Sequence, residues 1–127
     1  MSYVPKYVLK RMIAQDGLKA VEGGVDIAMH NIIATIPADQ IPGDPLDLIK
    51  IKLNGSELSK EEKSQILVKF EDKSFKLGQI RDAGTIPVNT MITFHFPTTT
   101  VKAGEEVTVD IDIPEVNVSM SFTRTVQ

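Results

Sequence analysis

The sequence predicts an all-β protein: a single-domain antiparallel β-sandwich over residues 1–127, with about eight strands and at most one or two short helical turns. Three observations carry the prediction. Apolar residues recur with a period of two rather than 3.6. Turn dipeptides such as Gly23-Gly24, Asn54-Gly55 and Pro114-Glu115 punctuate the chain at short intervals. A length of 127 residues makes one ordinary core. A chain of that size buries roughly two thirds of its unfolded surface, so it needs no disulfide or metal to fold.

Residues 7–13 and 18–21 read as short strands, the second leading into a turn at Gly23-Gly24. Residues 25–36 read as a longer strand. Val25, Ile27, Met29 and Ile33 fall on one face, and Ala28, Ile32, Ala34 and Ile36 on the other, the pattern of a central strand. Residues 37–45 and 84–89 hold most of the prolines and read as linkers, with a loop at Pro42-Gly43-Asp44-Pro45. Asn54-Gly55 is the strongest hairpin signal in the chain. It pairs Leu53 with Ser56, Lys52 with Glu57 and Ile51 with Leu58, and the outward pair carries opposite charges. Ser59-Lys60-Glu61-Glu62 fits a capping box, which starts one turn of helix before a strand at Gln65. A turn at Asp72-Lys73 pairs Phe70 with Phe75 and Val68 with Leu77. Residues 77–81 read as a second helical turn. Ile92, Phe94 and Phe96 mark a strand stopped by Pro97.

The last third shows the period best. Val107, Val109, Ile111 and Ile113 alternate with Glu106, Thr108, Asp110 and Asp112. Val116, Val118, Met120 and Phe122 alternate with Asn117, Ser119, Ser121 and Thr123. A two-residue link at Pro114-Glu115 pairs Ile113 with Val116, Asp112 with Asn117, Val109 with Met120 and Val107 with Phe122. Every apolar residue then lands on one face, and a one-residue slip would undo that match.

Composition narrows the chemistry. The chain has no cysteine, which excludes disulfides, zinc–thiolate and iron–sulfur sites and a cysteine nucleophile. It has 14 basic and 17 acidic residues and a net charge of −3, so no strong basic field exists for nucleic acid or an anionic membrane. Lys6, Lys10 and Arg11 interrupt the N-terminal apolar residues, and no later apolar run is longer than that of Ile32-Ile33-Ala34. No signal peptide or membrane span is therefore expected, and the cytoplasm is the expected location. Asn54-Gly55-Ser56 and Asn117-Val118-Ser119 match the glycosylation triplet by chance on this reading.

No candidate catalytic, cofactor-binding or metal residue is assigned. His30 and His95 are the only histidines; they read as polar strand positions, because no H-x-H, H-E-x-x-H or G-x-S-x-G partner motif accompanies them. Glu106, Asp110 and Asp112 lie on one face of one strand and diverge, whereas calcium wants oxygens converging from a loop. They read as a solvated outer face. Lys50, Lys52, Lys69 and Lys76 point outward and suggest a basic stripe on one sheet. Asp47, Glu57 and Glu71 dilute it, and no exposed aromatic platform accompanies it, so nucleic-acid binding is not expected. No phosphate-binding glycine loop occurs, and no cofactor is expected. Residues 25–36, with Tyr3, Val4, Tyr7, Val8, Leu9, Met12 and Ile13, carry more apolar positions than one sandwich face each can use. That excess predicts burial against another chain, either a second copy or a larger enzyme subunit.

The order of features resembles one family. It runs from Gly24-Val25-Asp26-Ile27-Ala28-Met29 through Lys52-Leu53-Asn54-Gly55, Val68-Lys69-Phe70 and Phe75-Lys76-Leu77. Phe94-His95-Phe96-Pro97 and residues 101–107, Val-Lys-Ala-Gly-Glu-Glu-Val, complete it. This is similar to the small β subunit of bacterial C-glycoside deglycosidases. The resemblance implies a β-sandwich that assembles with a larger metal-dependent barrel subunit related to sugar isomerases. It carries over no site residue, since tryptophan is absent before Pro97 and residues 36–45 lack a Tyr-Arg-Gly run. The expected function is a non-catalytic accessory or interaction subunit of a sugar-processing complex. The alternatives are a stand-alone carbohydrate- or ligand-binding module, a self-assembling structural protein and, after these, an independent enzyme.

Overall fold

A computed structural model describes residues 2–3, 5–32, 35–98, 101–116 and 118–127. The chain opens with β1 (Ser2–Tyr3), α1 (Lys6–Met12), β2 (Leu18–Val21), β3 (Gly24–Asn31) and β4 (Ile36–Pro37). Next come α2 (Pro45–Leu48), β5 (Lys50–Leu53), β6 (Ser56–Glu57), α3 (Lys60–Ser64), β7 (Leu67–Phe70) and β8 (Lys73–Lys76). It closes with β9 (Thr85–Ile86), β10 (Thr90–Phe96), β11 (Glu106–Ile113) and β12 (Val118–Thr125). One sheet has the order β1-β12-β11-β5-β6 and the other β2-β3-β10-β7-β8, while β4 and β9 form a small separate pair. Pairing is antiparallel except where β1 runs parallel to β12.

The all-β class is as predicted. Helix is more frequent than expected: besides the three short α-helices, 3-10 turns occupy Ala38–Gln40, Leu77–Ala83 and Pro114–Val116. The N-terminal segment is the main correction, for residues expected as a strand form α1. Leu9, Met12 and Ile13 stand at i, i+3 and i+4, and all three are buried, which is the stripe of an amphipathic helix. The Pro5 carbonyl accepts from the Val8 and Leu9 amides, so the chain turns helical right after the proline. Lys10 and Arg11 fall in the last turn, where the helix dipole favours cations.

β3 is an interior strand, between β2 and β10, and ends at Asn31. There the Asn31 side-chain amide donates to the Pro87 carbonyl, and its backbone carbonyl accepts from the Asn89 amide. Ile36 belongs to β4 instead. Ile33 and Ala34, expected in the long strand, lie outside the described residues, as do Val4 and Asn117.

Three hairpins test the turn readings. The Asn54-Gly55 turn forms as predicted: Lys52 pairs Glu57, Leu53 pairs Ser56, and Leu58 donates to the Ile51 carbonyl. Asn54 and Gly55 both take positive φ, as a type I′ turn requires. In the second hairpin, Glu71 and Asp72 are the left-handed pair, one position ahead of the predicted turn. Val68 therefore faces Phe75, and Phe70 faces Lys73. In the third, the Pro114–Val116 turn lengthens the link, so Ile113 faces Val118 and Val109 faces Phe122. Both registers differ from the expected ones by two residues, an even step that leaves each side chain on its predicted face.

The inner faces of the two large sheets share one core. Val25, Ile27, Ile92 and Phe96 from one meet Ile51, Val107, Val109 and Phe122 from the other. The chain passes from β1 in the first sheet to β2 in the second through α1, whose Leu9, Met12 and Ile13 join the same core. The apolar excess that predicted a partner is thus largely used inside the domain.

Candidate functional site

The outer face of the β2-β3-β10-β7-β8 sheet brings together the polar residues with the most distinctive geometry. Register places Lys19, Asp26, His95, Leu67 and Lys76 in one row across the five strands. The next row holds Ala28, Thr93, Lys69 and Ser74, and beyond it His30 faces Met91. Rows are ~7 Å apart and neighbouring strands ~4.8 Å apart, so the face is a regular grid.

At its centre His95 Nδ1 lies 2.6 Å from Asp26 Oδ1. Their side chains are 17% and 29% exposed, so the contact is half shielded but reachable. The carboxylate fixes the ring orientation and leaves Nε2 as the edge turned away from it. An aspartate–histidine pair is the orienting half of an acid–base device; acyl transfer also requires a nucleophile in contact with the ring. The row supplies Leu67 on the far side of His95 rather than a hydroxyl. His30 is half-buried, in register with Met91, and four residues from Asp26 along β3. Apolar side chains accompany these groups: Met91 is 53% exposed and Val21 38%. A shallow depression of about 450 Å³ adjoins Met91, Thr93, Lys69 and Ser74.

The acidic row takes a structural place. Asp110 faces Lys52 on one side and Ser121 on the other, and Asp112 faces Lys50 and Ser119. The Ser119 hydroxyl donates to Asp112, and the Thr108 and Thr123 hydroxyls lie 2.8 Å apart. Opposite charges in adjacent strands favour this register. Among the described residues no group of three or more His, Asp or Glu side chains gathers as metal ligands would. The lysine stripe is corrected: Lys50 and Lys52 belong to one sheet, Lys69 and Lys76 to the other.

A second concavity of about 600 Å³ sits at one end of the sandwich, beside the β5–β6 hairpin and α3. Leu53, Leu58, Ile66 and Phe96 line it, with Asn54 and Glu61 among the polar residues. The capping box is formed in full, Ser59 Oγ accepting from the Glu62 amide and Glu62 Oε1 from the Ser59 amide. Just upstream, Asp44 caps α2 by accepting from the Leu46 amide, which holds its carboxyl below the usual range with help from nearby Lys60. Asp47, then Asp44, raises the Lys60 ammonium in turn.

Two buried cations escaped the sequence reading. Lys63 Nζ donates to the Leu46 and Ile49 carbonyls and so satisfies the end of α2. Arg124 donates through Nε and Nη2 to the Ile13 carbonyl at the end of α1, and through Nη1 to Thr123. Burial pushes the Arg124 guanidinium pKa down. Continuing the period of two past Phe122 would have placed Arg124 inside; nothing in the local pattern marks Lys63.

Fold and face together define a small β-sandwich with a mixed polar and apolar sheet surface. The chain matches no protein-family model and no curated protein. No helix among the described residues is long and apolar enough to cross a membrane.

Proposed function

We propose that the chain is a non-catalytic accessory or interaction subunit that docks on another protein through the outer face of the β2-β3-β10-β7-β8 sheet. One observation carries the reading: Met91 and Val21, two of the large apolar side chains that are exposed, stand on the same face as the Asp26–His95 pair. Apolar contact within a polar surround is the make-up of a protein interface. Following the resemblance to the small subunit of C-glycoside deglycosidases, the partner is a larger, barrel-type sugar enzyme that holds the metal and the chemistry. A cytoplasmic location belongs to the same proposal. The test is co-purification with such an enzyme and light scattering of the complex. Met91→Arg should release the partner, and Ser121→Arg on the opposite outer face should not. A partner that stays bound to Met91→Arg, or a chain that remains monomeric and binds nothing, would overturn it.

The end concavity favours a second reading, a stand-alone ligand-binding module. Its volume and apolar lining suit a small ligand. A sugar panel that raises the melting temperature of the chain alone, with the effect lost in Leu58→Arg, would favour this reading over docking.

A further inference from the structure

The two outer faces differ in how their charges are arranged. On the β1-β12-β11-β5-β6 sheet, Asp110 and Glu57 flank Lys52, and Asp112 faces Lys50, so the signs alternate. On the other sheet the exposed Lys69 is in register with Thr93 and Ser74 and the exposed Lys76 with Leu67, so neither faces a carboxylate, while exposed Lys19 faces Asp26. The carboxylate in their midst, Asp26, is held by His95. Glu71 and Asp72 stand at the β7–β8 turn, where they bound the cationic area on one side.

We infer that the docking partner is acidic, and that its carboxylates meet Lys69 and Lys76 on β7 and β8, beside the Asp26–His95 pair. The inference rests on the docking reading above and adds the partner's chemistry. Exposed lysine heads on flexible stems complement a carboxylate-bearing segment. Such charges set partner choice and association rate more than final affinity.

The test titrates the full, isotope-labelled chain with a hexaglutamate peptide and follows its amide resonances. Hexalysine and an oligothymidylate serve as comparators. Hexaglutamate should shift the His95, Thr93 and Leu67 amides saturably at about 50 mM salt, and the effect should fade at about 300 mM. The double variant Lys69→Glu/Lys76→Glu should weaken binding about tenfold or more, while Lys50→Glu/Lys52→Glu should bind like the parent chain. All four positions are exposed, and an unchanged strand resonance pattern confirms folding. Equal binding of hexalysine, preferential binding of the oligothymidylate, or shifts confined to the opposite sheet would overturn the inference. The natural complex separates the two claims. If Met91→Arg releases the partner while Lys69→Glu/Lys76→Glu keeps it in full, the acidic partner is refuted and the docking face stands.

Discussion

A Cβ added to Gly24 would lie 2.0 Å from the Phe96 carbonyl oxygen and 2.9 Å from Pro97 Cα, both backbone atoms. Gly24→Ala must therefore push β3 away from the end of β10, at a cost of at least about 1 to 3 kcal/mol. At Gly23 a Cβ meets nothing within 4 Å, and the cost of Gly23→Ala is the left-handed backbone alone, about 1 kcal/mol. Urea midpoints of the two variants check the ordering. The Gly-Gly pair reads in the sequence as one turn, yet only Gly23 is turning; Gly24 is needed because another strand passes close. A similar contrast holds in β12. Phe122 is buried, so Phe122→Ala should cost about 3 to 5 kcal/mol, while exposed Ser121→Ala should stay within about 0.5 kcal/mol. Similar midpoints for those two would refute the face assignment. Arg124→Met keeps the stem and leaves the Ile13 carbonyl without its guanidinium, for an expected loss of about 1 to 3 kcal/mol. The candidate site was legible only in part. Parity alone turns Asp26 and His95 outward, but 69 residues separate them, and only the register of β3 against β10 makes them a pair.

Elements with local chemical signals were readable, and those decided by tertiary packing were not. The Asn54-Gly55 turn and the Ser59 capping box form as the sequence indicates, because each depends on residues within four positions of one another. Ser59→Ala should cost about 1 kcal/mol and should unprotect the Glu62 amide in hydrogen exchange. The second hairpin turns one residue early because Glu71 takes φ 49° without glycine's help, which no composition rule would select. Residues 7–13 admit both a two-residue and a helical period, and burial of Leu9, Met12 and Ile13 against the shared core decides for helix. The short helix α2 gives the pH test. Its cap, Asp44, has a lowered carboxyl pKa, so its charge contributes stability that is complete above the unfolded-state value. That contribution is lost as pH falls through the lower folded-state value. Asp44→Asn keeps an acceptor for the Leu46 amide but carries no charge. The melting-temperature advantage of the parent over Asp44→Asn should therefore shrink as the solution is taken into the acid range. An advantage independent of pH would show that the charge contributes nothing.

At the scale of the whole molecule, one core joins the two sheets, and the chain end after β12 is bonded to β2, the Ala20 amide donating to the Gln127 carbonyl and the Gln127 amide to the Leu18 carbonyl. Further joints are α1, one of the segments that carry the chain across, and Arg124, which ties β12 to the end of that helix. Neither sheet can bury its inner face without the other, and α1 has no apolar partner except the core they share. The chain should consequently unfold as one unit, as small single domains do. Its methionines are placed to test this. Met12 reports α1, Met29 the β2-β3-β10-β7-β8 sheet, and Met120 the opposite sheet. Their methyl resonances, followed through a urea titration, should share one midpoint and one slope. Met91, on the proposed docking face, should follow the same curve, because β10 cannot lose its outer side chains' scaffold before its inner ones. Earlier loss of the Met12 signal would mean that α1 docks on a preformed sandwich rather than completing it. A split between Met29 and Met120 would mean that each sheet is stable alone. Either result would also bear on binding: a docking face carried by a cooperative sandwich keeps its grid of side chains fixed before a partner arrives, and association then requires little backbone movement.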